Sequence, residues 1–234
     1  MKLGSKSKRV DNEGKIEVID TSRKRFLSTA FSALAAIPLS RARNNLDGAA
    51  ELMSGKQRPV RKLYPLPFGA PSREKFFELC SACQLCVERC PSGVLRPARG
   101  EYGAEGVMRP VMDFEKGFCA DGCTVCGEVC PTGAIVALTP DQREEAQVGV
   151  ARFVSANCIA YAGGDCRVCE ERCELSALRL RPEYSSPLPA REGDTHKRFP
   201  LRAHIDSALC SGCGACENGC PATPFKAIVV EGIE

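Results

Sequence analysis

The chain has 234 residues, a formal net charge of +3, 6% aromatic residues and no Trp, which leaves room for one or two domains and excludes a large aromatic core. Residues 1–62 hold 14 Lys/Arg against 6 Asp/Glu, and the remainder holds 18 against 23. The later part is therefore mildly acidic, which argues against nucleic acid as its partner.

Residues 1–20 are polar and charged and read as unstructured. Ser22-Arg23-Lys24-Arg25-Phe26-Leu27-Ser28 follows, then an apolar stretch from Thr29 to Leu39. A basic segment before a short apolar one has the form of an export signal. The run is too short for a membrane span, which needs about 20 apolar residues. The frame resembles a twin-arginine signal, with Lys24 where the second arginine belongs. Ser40-Arg41-Ala42 stands at the expected cleavage region, so residues 1–42 are an export signal, an uncleaved anchor or an amphipathic surface helix. Residues 43–73 read as a linker. Pro59, Pro65, Pro67, Gly69 and Pro71 make its later part extended.

From there the chain repeats. Glu74–Leu79 predicts a short helix leading into a first cysteine loop. The sixteen cysteines form four groups with none left over: Cys80, Cys83, Cys86, Cys90; Cys119, Cys123, Cys126, Cys130; Cys158, Cys166, Cys169, Cys173; and Cys210, Cys213, Cys216, Cys220. Groups one and four read C-x-x-C-x-x-C-x-x-x-C-P. Three thiolates in one tight loop hold three irons of a 4Fe–4S cube, and the fourth, before proline, ligates a neighbouring cube. Four such groups predict four 4Fe–4S clusters bound by all sixteen cysteines. Group two has one extra residue between Cys119 and Cys123. In group three seven residues separate Cys158 from Cys166, and Glu174 replaces the proline. The longer loop is a partner contact, a device for tuning potential or, more plainly, a tolerated insertion.

Other uses of the cysteines fit less well. Disulfide frameworks do not repeat this spacing. Zinc ribbons pair two C-x-x-C knuckles and have no use for a third cysteine two residues on. Haem c needs a histidine directly after C-x-x-C, and the only histidines, His196 and His204, stand elsewhere.

Strands are expected at 111–114, 150–154 and 201–205 before groups two to four. Further short strands are expected within 92–95, 132–138, 176–180 and 226–230 after each group. Strand, cysteine loop, helical turn, strand is the bacterial ferredoxin half-unit. The fold class is therefore α+β and loop-rich, with tandem two-cluster modules and half-units near 74–108, 109–147, 148–182 and 200–234. Residues 182–200 read as a long surface loop. Nothing else looks catalytic. Glu144-Glu145 reads as helix surface, and Tyr102, Tyr161 and Tyr184 as packing. Backbone N–H groups between Gly212 and Gly219 are candidate donors to sulfur. The chain thus reads as an electron carrier, not an enzyme.

On the export-like start, the four groups in order, and Asn157-Cys158 followed by Asp165-Cys166-Arg167-Val168-Cys169-Glu170-Glu171-Arg172-Cys173, residues 22–234 resemble the ferredoxin-type proteins of the NapG/MauM group. That group is similar to iron–sulfur subunits of molybdopterin oxidoreductases. The resemblance implies a periplasmic electron carrier with four 4Fe–4S clusters. Its donor would be a membrane quinol dehydrogenase or polyferredoxin, with possible membrane association, and its acceptor a periplasmic redox enzyme such as nitrate reductase. A fixed iron–sulfur subunit of a larger oxidoreductase complex is the competing class. The related subunits also imply nested ligand sharing: Cys80, Cys83 and Cys86 with Cys220; Cys90 with Cys210, Cys213 and Cys216; Cys119, Cys123 and Cys126 with Cys173; Cys130 with Cys158, Cys166 and Cys169. Sequential sharing, group one with two and three with four, is the rival.

Overall fold

A computed structural model describes residues 7–10, 16–19, 55–190 and 197–233. The chain divides into two units, residues 1–55 and 56–234. In the first, β1 (Ser7–Val10) and β2 (Ile16–Ile19) pair antiparallel with Ser7 opposite Ile19. The expectation that residues 1–20 lack structure is corrected for these two strands. Val10, Ile16, Val18 and Ile19 are β-branched and favour extended backbone. The export-like segment at 22–42 and His196 lie outside the described residues.

The second unit begins with α1 (Arg73–Leu79). Ser72 caps it by accepting a hydrogen bond from the Lys75 N–H at 3.3 Å, and Phe76 is its buried face. Four single-turn helices follow at equivalent places: α2 (Leu85–Glu88), α3 (Val125–Glu128), α5 (Val168–Glu171) and α6 (Ala215–Gly219). Each carries the third cysteine of its group at its second position. Between α3 and α5 lies α4 (Pro140–Glu145). It starts where Thr139 and Gln142 form a reciprocal capping box and Pro140 fits the first turn.

The strands pair two by two. β3 (Leu95–Pro97) lies antiparallel to β4 (Pro110–Met112), with Leu95 opposite Met112. β5 (Gly149–Phe153) pairs with β8 (Ile228–Gly232), Gly149 opposite Gly232. β6 (Leu178–Pro182) pairs with β7 (Leu201–Ile205), Leu178 opposite Ile205. The result is a loop-rich α+β fold of short helices and two-stranded sheets.

One expected strand is missing. Residues 132–138 form no ladder. A single bond remains there, from the Val136 N–H to the Gly69 carbonyl at 2.8 Å. The segment it faces contains Pro65 and Pro67, which have no N–H to donate, and Gly69 turns away at φ +92°.

The segment expected as a linker does more than connect. Asn157 accepts from the Gln57 N–H at 2.8 Å and donates to the Gln57 carbonyl at 2.7 Å. Arg61 donates from Nε to the Val230 carbonyl at 2.8 Å, and the Gly232 N–H donates to the Leu63 carbonyl at 2.8 Å. Pro65, Leu66, Pro67 and Phe68 are then buried in the first half. Residues 56–70 therefore strap the second half to the first. The main apolar core runs through both, from Phe68, Phe76, Met112 and Phe114 to Leu178, Ile228 and Val230.

The strap is fastened by a buried ion pair. Arg61 reaches Glu217 on α6, whose other oxygen accepts from the Val230 N–H at 2.6 Å. Burial raises the Glu217 pKa, and the Arg61 charge opposes that rise. The side chains are 15% and 7% exposed, whereas those of Arg152 and Glu231, also paired, are 45% and 22% exposed. Leaving a buried charge without its partner costs about 3–5 kcal/mol, while an exposed pair contributes about 0–1 kcal/mol. Arg61→Met should therefore lower the denaturation midpoint far more than Arg152→Met. Equal midpoints in guanidinium titrations of the two variants would refute this account of the strap.

Candidate functional site

The sixteen cysteines are not disulfide-bonded. They line four cavities, one quartet around each, and Cys119 reaches a second cavity as well. Cys80, Cys83 and Cys86 face one cavity together with Cys130. Cys90 faces the next with Cys119, Cys123 and Cys126. Cys158, Cys166 and Cys169 are joined by Cys220. Cys173 is joined by Cys210, Cys213 and Cys216.

This arrangement overturns the nested scheme. Groups one and two exchange their fourth cysteines, and so do groups three and four. The strand pairing gives the reason. β5 precedes group three and β8 follows group four, so their antiparallel pairing closes residues 149–232 on themselves. The β3–β4 pair and the Gly69–Val136 contact close the first half in the same way. Cys220 lies between α6 and β8 and lines the Cys158 cavity, not that of Cys80.

Neighbouring cysteines also order the cavities. Cys86 lies close enough to Cys126 to add to the rise of its pKa, which sets the first two side by side, and Cys169 does the same to Cys216 in the last two. Between the halves, Cys119 lines both its own cavity and that of Cys210, and its N–H donates to the Cys213 carbonyl at 2.9 Å. Gly214 makes this junction possible. It sits at φ +84°, and a Cβ there would lie 2.0 Å from the Phe114 ring. Asn218 adds a hydrogen bond to the Phe114 carbonyl at 3.0 Å. The series runs from the Cys80 cavity through the Cys90 and Cys210 cavities to the Cys158 cavity.

The donor set suits a multi-iron cluster. Among the described residues no three His, Cys, Asp or Glu side chains converge as a single ion requires. A zinc held at about 2.3 Å by thiolates would draw the sulfurs to within roughly 4 Å of one another. Burial pushes Cys86 and Cys119 up to about 11 and Cys126 and Cys169 up to about 12, with neighbouring cysteines adding to the rise. Buried thiols of this kind ionise readily only against a positive centre, which is what iron provides.

Hydrogen bonds reach several sulfurs. The Ile135 N–H donates to Cys130 Sγ, the Ala151 N–H to Cys210 Sγ and the Ala227 N–H to Cys220 Sγ, at 3.5, 3.5 and 3.4 Å. At Cys130 burial works upward, but this donor and its neighbours outweigh it and lower the pKa. Within the Gly212–Gly219 loop, the Ala215 N–H eases Cys213 against its burial.

Other sequence candidates fall where chemistry is not needed. His204 is exposed on β7, and Glu144 and Glu145 are exposed on α4. Tyr102 is half-buried, and its hydroxyl donates to the Pro65 and Pro110 carbonyls at 3.2 and 3.4 Å. Tyr161 packs edge-on against Phe153, and Tyr184 against Phe199. The insertion between Cys158 and Cys166 winds into tight turns, with the Gly164 N–H donating to the Ile159 carbonyl at 2.9 Å. It packs toward Leu188 in the long loop. Arg143, absent from the sequence candidates, is 2% exposed and reaches Cys119 Sγ. No motif marks it. Its one signal is a basic residue beside an acidic pair on a well-capped helix.

Residues 79–135 match the family described as the 4Fe-4S dicluster domain. The chain is 26% identical over 152 residues to the ferredoxin-type protein NapF of Escherichia coli strain K12, covering 65% of this chain and 77% of that protein. It is 28% identical over 211 residues to the methylamine utilization ferredoxin-type protein MauM of Methylophilus methylotrophus, covering 87% and 84%. Over 159 residues it is 32% identical to the ferredoxin-type protein NapG of Escherichia coli strain K12, covering 66% and 64%.

The exchange of fourth cysteines has a direct test. Cys130→Ser should make Cys80, Cys83 and Cys86 the newly alkylated residues when iodoacetamide labelling is mapped by mass spectrometry. New labelling at Cys158, Cys166 and Cys169 instead would restore the nested scheme.

Proposed function

The chain is a ferredoxin-type protein of the NapG/MauM group, and we propose that it relays electrons with four 4Fe–4S clusters. Each cluster supplies reversible one-electron transfer at an iron–sulfur core. The observation that carries the reading is the set of four thiol quartets around four adjoining cavities. The residues proposed to hold the clusters are Cys80, Cys83, Cys86 and Cys130; Cys90, Cys119, Cys123 and Cys126; Cys173, Cys210, Cys213 and Cys216; and Cys158, Cys166, Cys169 and Cys220. In this reading the two halves are tandem two-cluster modules.

What the chain contributes is spacing, burial and hydrogen bonding. Val94, Leu95, Met112 and Ile135 screen the first pair of cavities from water, and Leu178, Leu180 and Ile228 the second pair. The N–H donors at Ile135, Ala151 and Ala227 are placed to stabilise charge on the sulfurs. At one end of the series Cys83 is exposed, with Leu79, Leu85 and Met108 exposed beside its loop. That end is open to a redox partner.

The donor in this reading is a membrane quinol dehydrogenase or polyferredoxin, and the acceptor a periplasmic oxidoreductase. Twin-arginine export through residues 22–42 fits such a protein, because the clusters are inserted in the cytoplasm and the chain must cross folded. Among the described residues no helix is long and apolar enough to cross a membrane.

Anaerobically purified protein should contain roughly sixteen irons and as many labile sulfides per chain. Cys216→Ala should remove about four of each and interrupt electron flow, whereas His204→Ala should remove none. An iron content well below sixteen in the unaltered protein would sink the four-cluster count. Replacing Arg23 and Lys24 by Gln should hold the protein in the cytoplasm on cell fractionation. Unchanged periplasmic recovery would remove the twin-arginine route.

A further inference from the structure

Arg143 is the most deeply buried cationic side chain among the described residues, at 2% exposure. A buried guanidinium normally sits against a carboxylate, because an uncompensated buried charge is strongly unfavourable. Among the described residues no ion pair includes Arg143. Its acidic neighbours in sequence, Asp141, Glu144 and Glu145, are exposed.

The guanidinium is held instead by neutral groups and sulfur. Nε donates to the Cys123 carbonyl at 3.2 Å, and Nη2 to the Ala120 carbonyl at 3.4 Å and to Cys119 Sγ at 3.5 Å. The Phe68 ring lies beneath it, 3.4 Å from ring centroid to Cζ. The same side chain lines the cavity of Cys173, Cys210, Cys213 and Cys216. Every contact places its charge on the wall between the second and third quartets of the series.

Given the four-cluster reading, we propose that Arg143 is a positioning residue that raises the midpoint potential of the cluster held by Cys90, Cys119, Cys123 and Cys126. The missing counter-charge of the guanidinium is supplied by the thiolate-ligated cluster itself. A 4Fe–4S core with four thiolates is negative when oxidised and gains one further negative charge on reduction. A fixed cation with an N–H aimed at a ligand sulfur stabilises the reduced form more than the oxidised form. Asp121, Arg172 and Glu174 also line the adjoining cavity, but they are exposed, and solvent screens them. The inner step of the series is therefore biased at one residue, and the electron is held preferentially at the junction of the two halves.

The test is an EPR-monitored titration with dithionite, which supplies the electron, on anaerobic protein with its iron content measured in parallel. Arg143→Gln keeps an N–H donor and removes the charge, and Arg143→Met removes both. In each, one reduction step should fall by at least tenfold in its equilibrium constant, or 59 mV for one electron. Arg143→Lys should recover most of that fall. Unshifted reduction steps in Arg143→Gln and Arg143→Met at full iron content would overturn the proposal. If those variants lose iron, pulsed EPR on reduced unaltered protein carrying ¹⁵N only in the arginine guanidinium groups decides the matter. A ¹⁵N coupling at one cluster supports the assignment, and no coupling overturns it. Iron content in the unaltered protein tests the underlying four-cluster reading separately.

Discussion

Each cavity takes its fourth thiol from the other cysteine loop of its half, and this exchange constrains the rest of the molecule. A loop such as 80–86 is too short to enclose anything. Cys130 completes it only if the second loop lies against the first, and Cys90 must then reach back the other way. The two loops of a half are thus obliged to pack face to face. Short strand pairs hold that arrangement from outside, and single-turn helices present the third cysteine from within. With few aromatic side chains available, the thiol quartets occupy the place that large apolar residues fill in most domains.

The two halves reach the same arrangement by unequal means. The second half has two full strand pairs, five residues to a strand. The first half has one pair of three residues and a single bond at Gly69–Val136. What it lacks in ladder bonds it makes up in side chains. Phe76, Phe77 and Tyr102 meet edge to face, Phe68 is buried under Arg143, and the strap delivers Pro65 to Phe68 into the core. Edge-to-face aromatic pairs contribute about 0.5–1.5 kcal/mol each beyond their burial, comparable to the net worth of the ladder bonds they replace. The strap therefore substitutes for a strand that proline forbids.

The cysteine groups, their helical turns and most of the strands were legible because ligand spacing and period-two alternation are local signals. Strands 149–153 and 201–205 fall within a residue of their expected places. The pairing of groups was not legible. Sequence distance alone does not distinguish Cys90 beside Cys119 from Cys90 beside Cys210, and the preference carried over from related subunits pointed the wrong way. What decides it is long-range register, Gly149 against Gly232. The same limit hid the strap. Its prolines suggest an extended connector, and only the structure shows Asn157, Val230 and Glu217 waiting for it.

Arg143 shows why a charged residue can escape a sequence reading and still matter at a site. On α4 it is flanked by exposed acids, which is the pattern of a solvated helix face. The helix, however, starts at a capped Thr139 immediately after the segment that replaces the missing strand. The irregularity that proline imposes on the first half thus coincides with the turn that carries a cation onto the wall of the second quartet. In the proposed four-cluster relay, four equal quartets would give an electron no preferred resting place, and the asymmetry between the halves is what the proposal assigns to supply one.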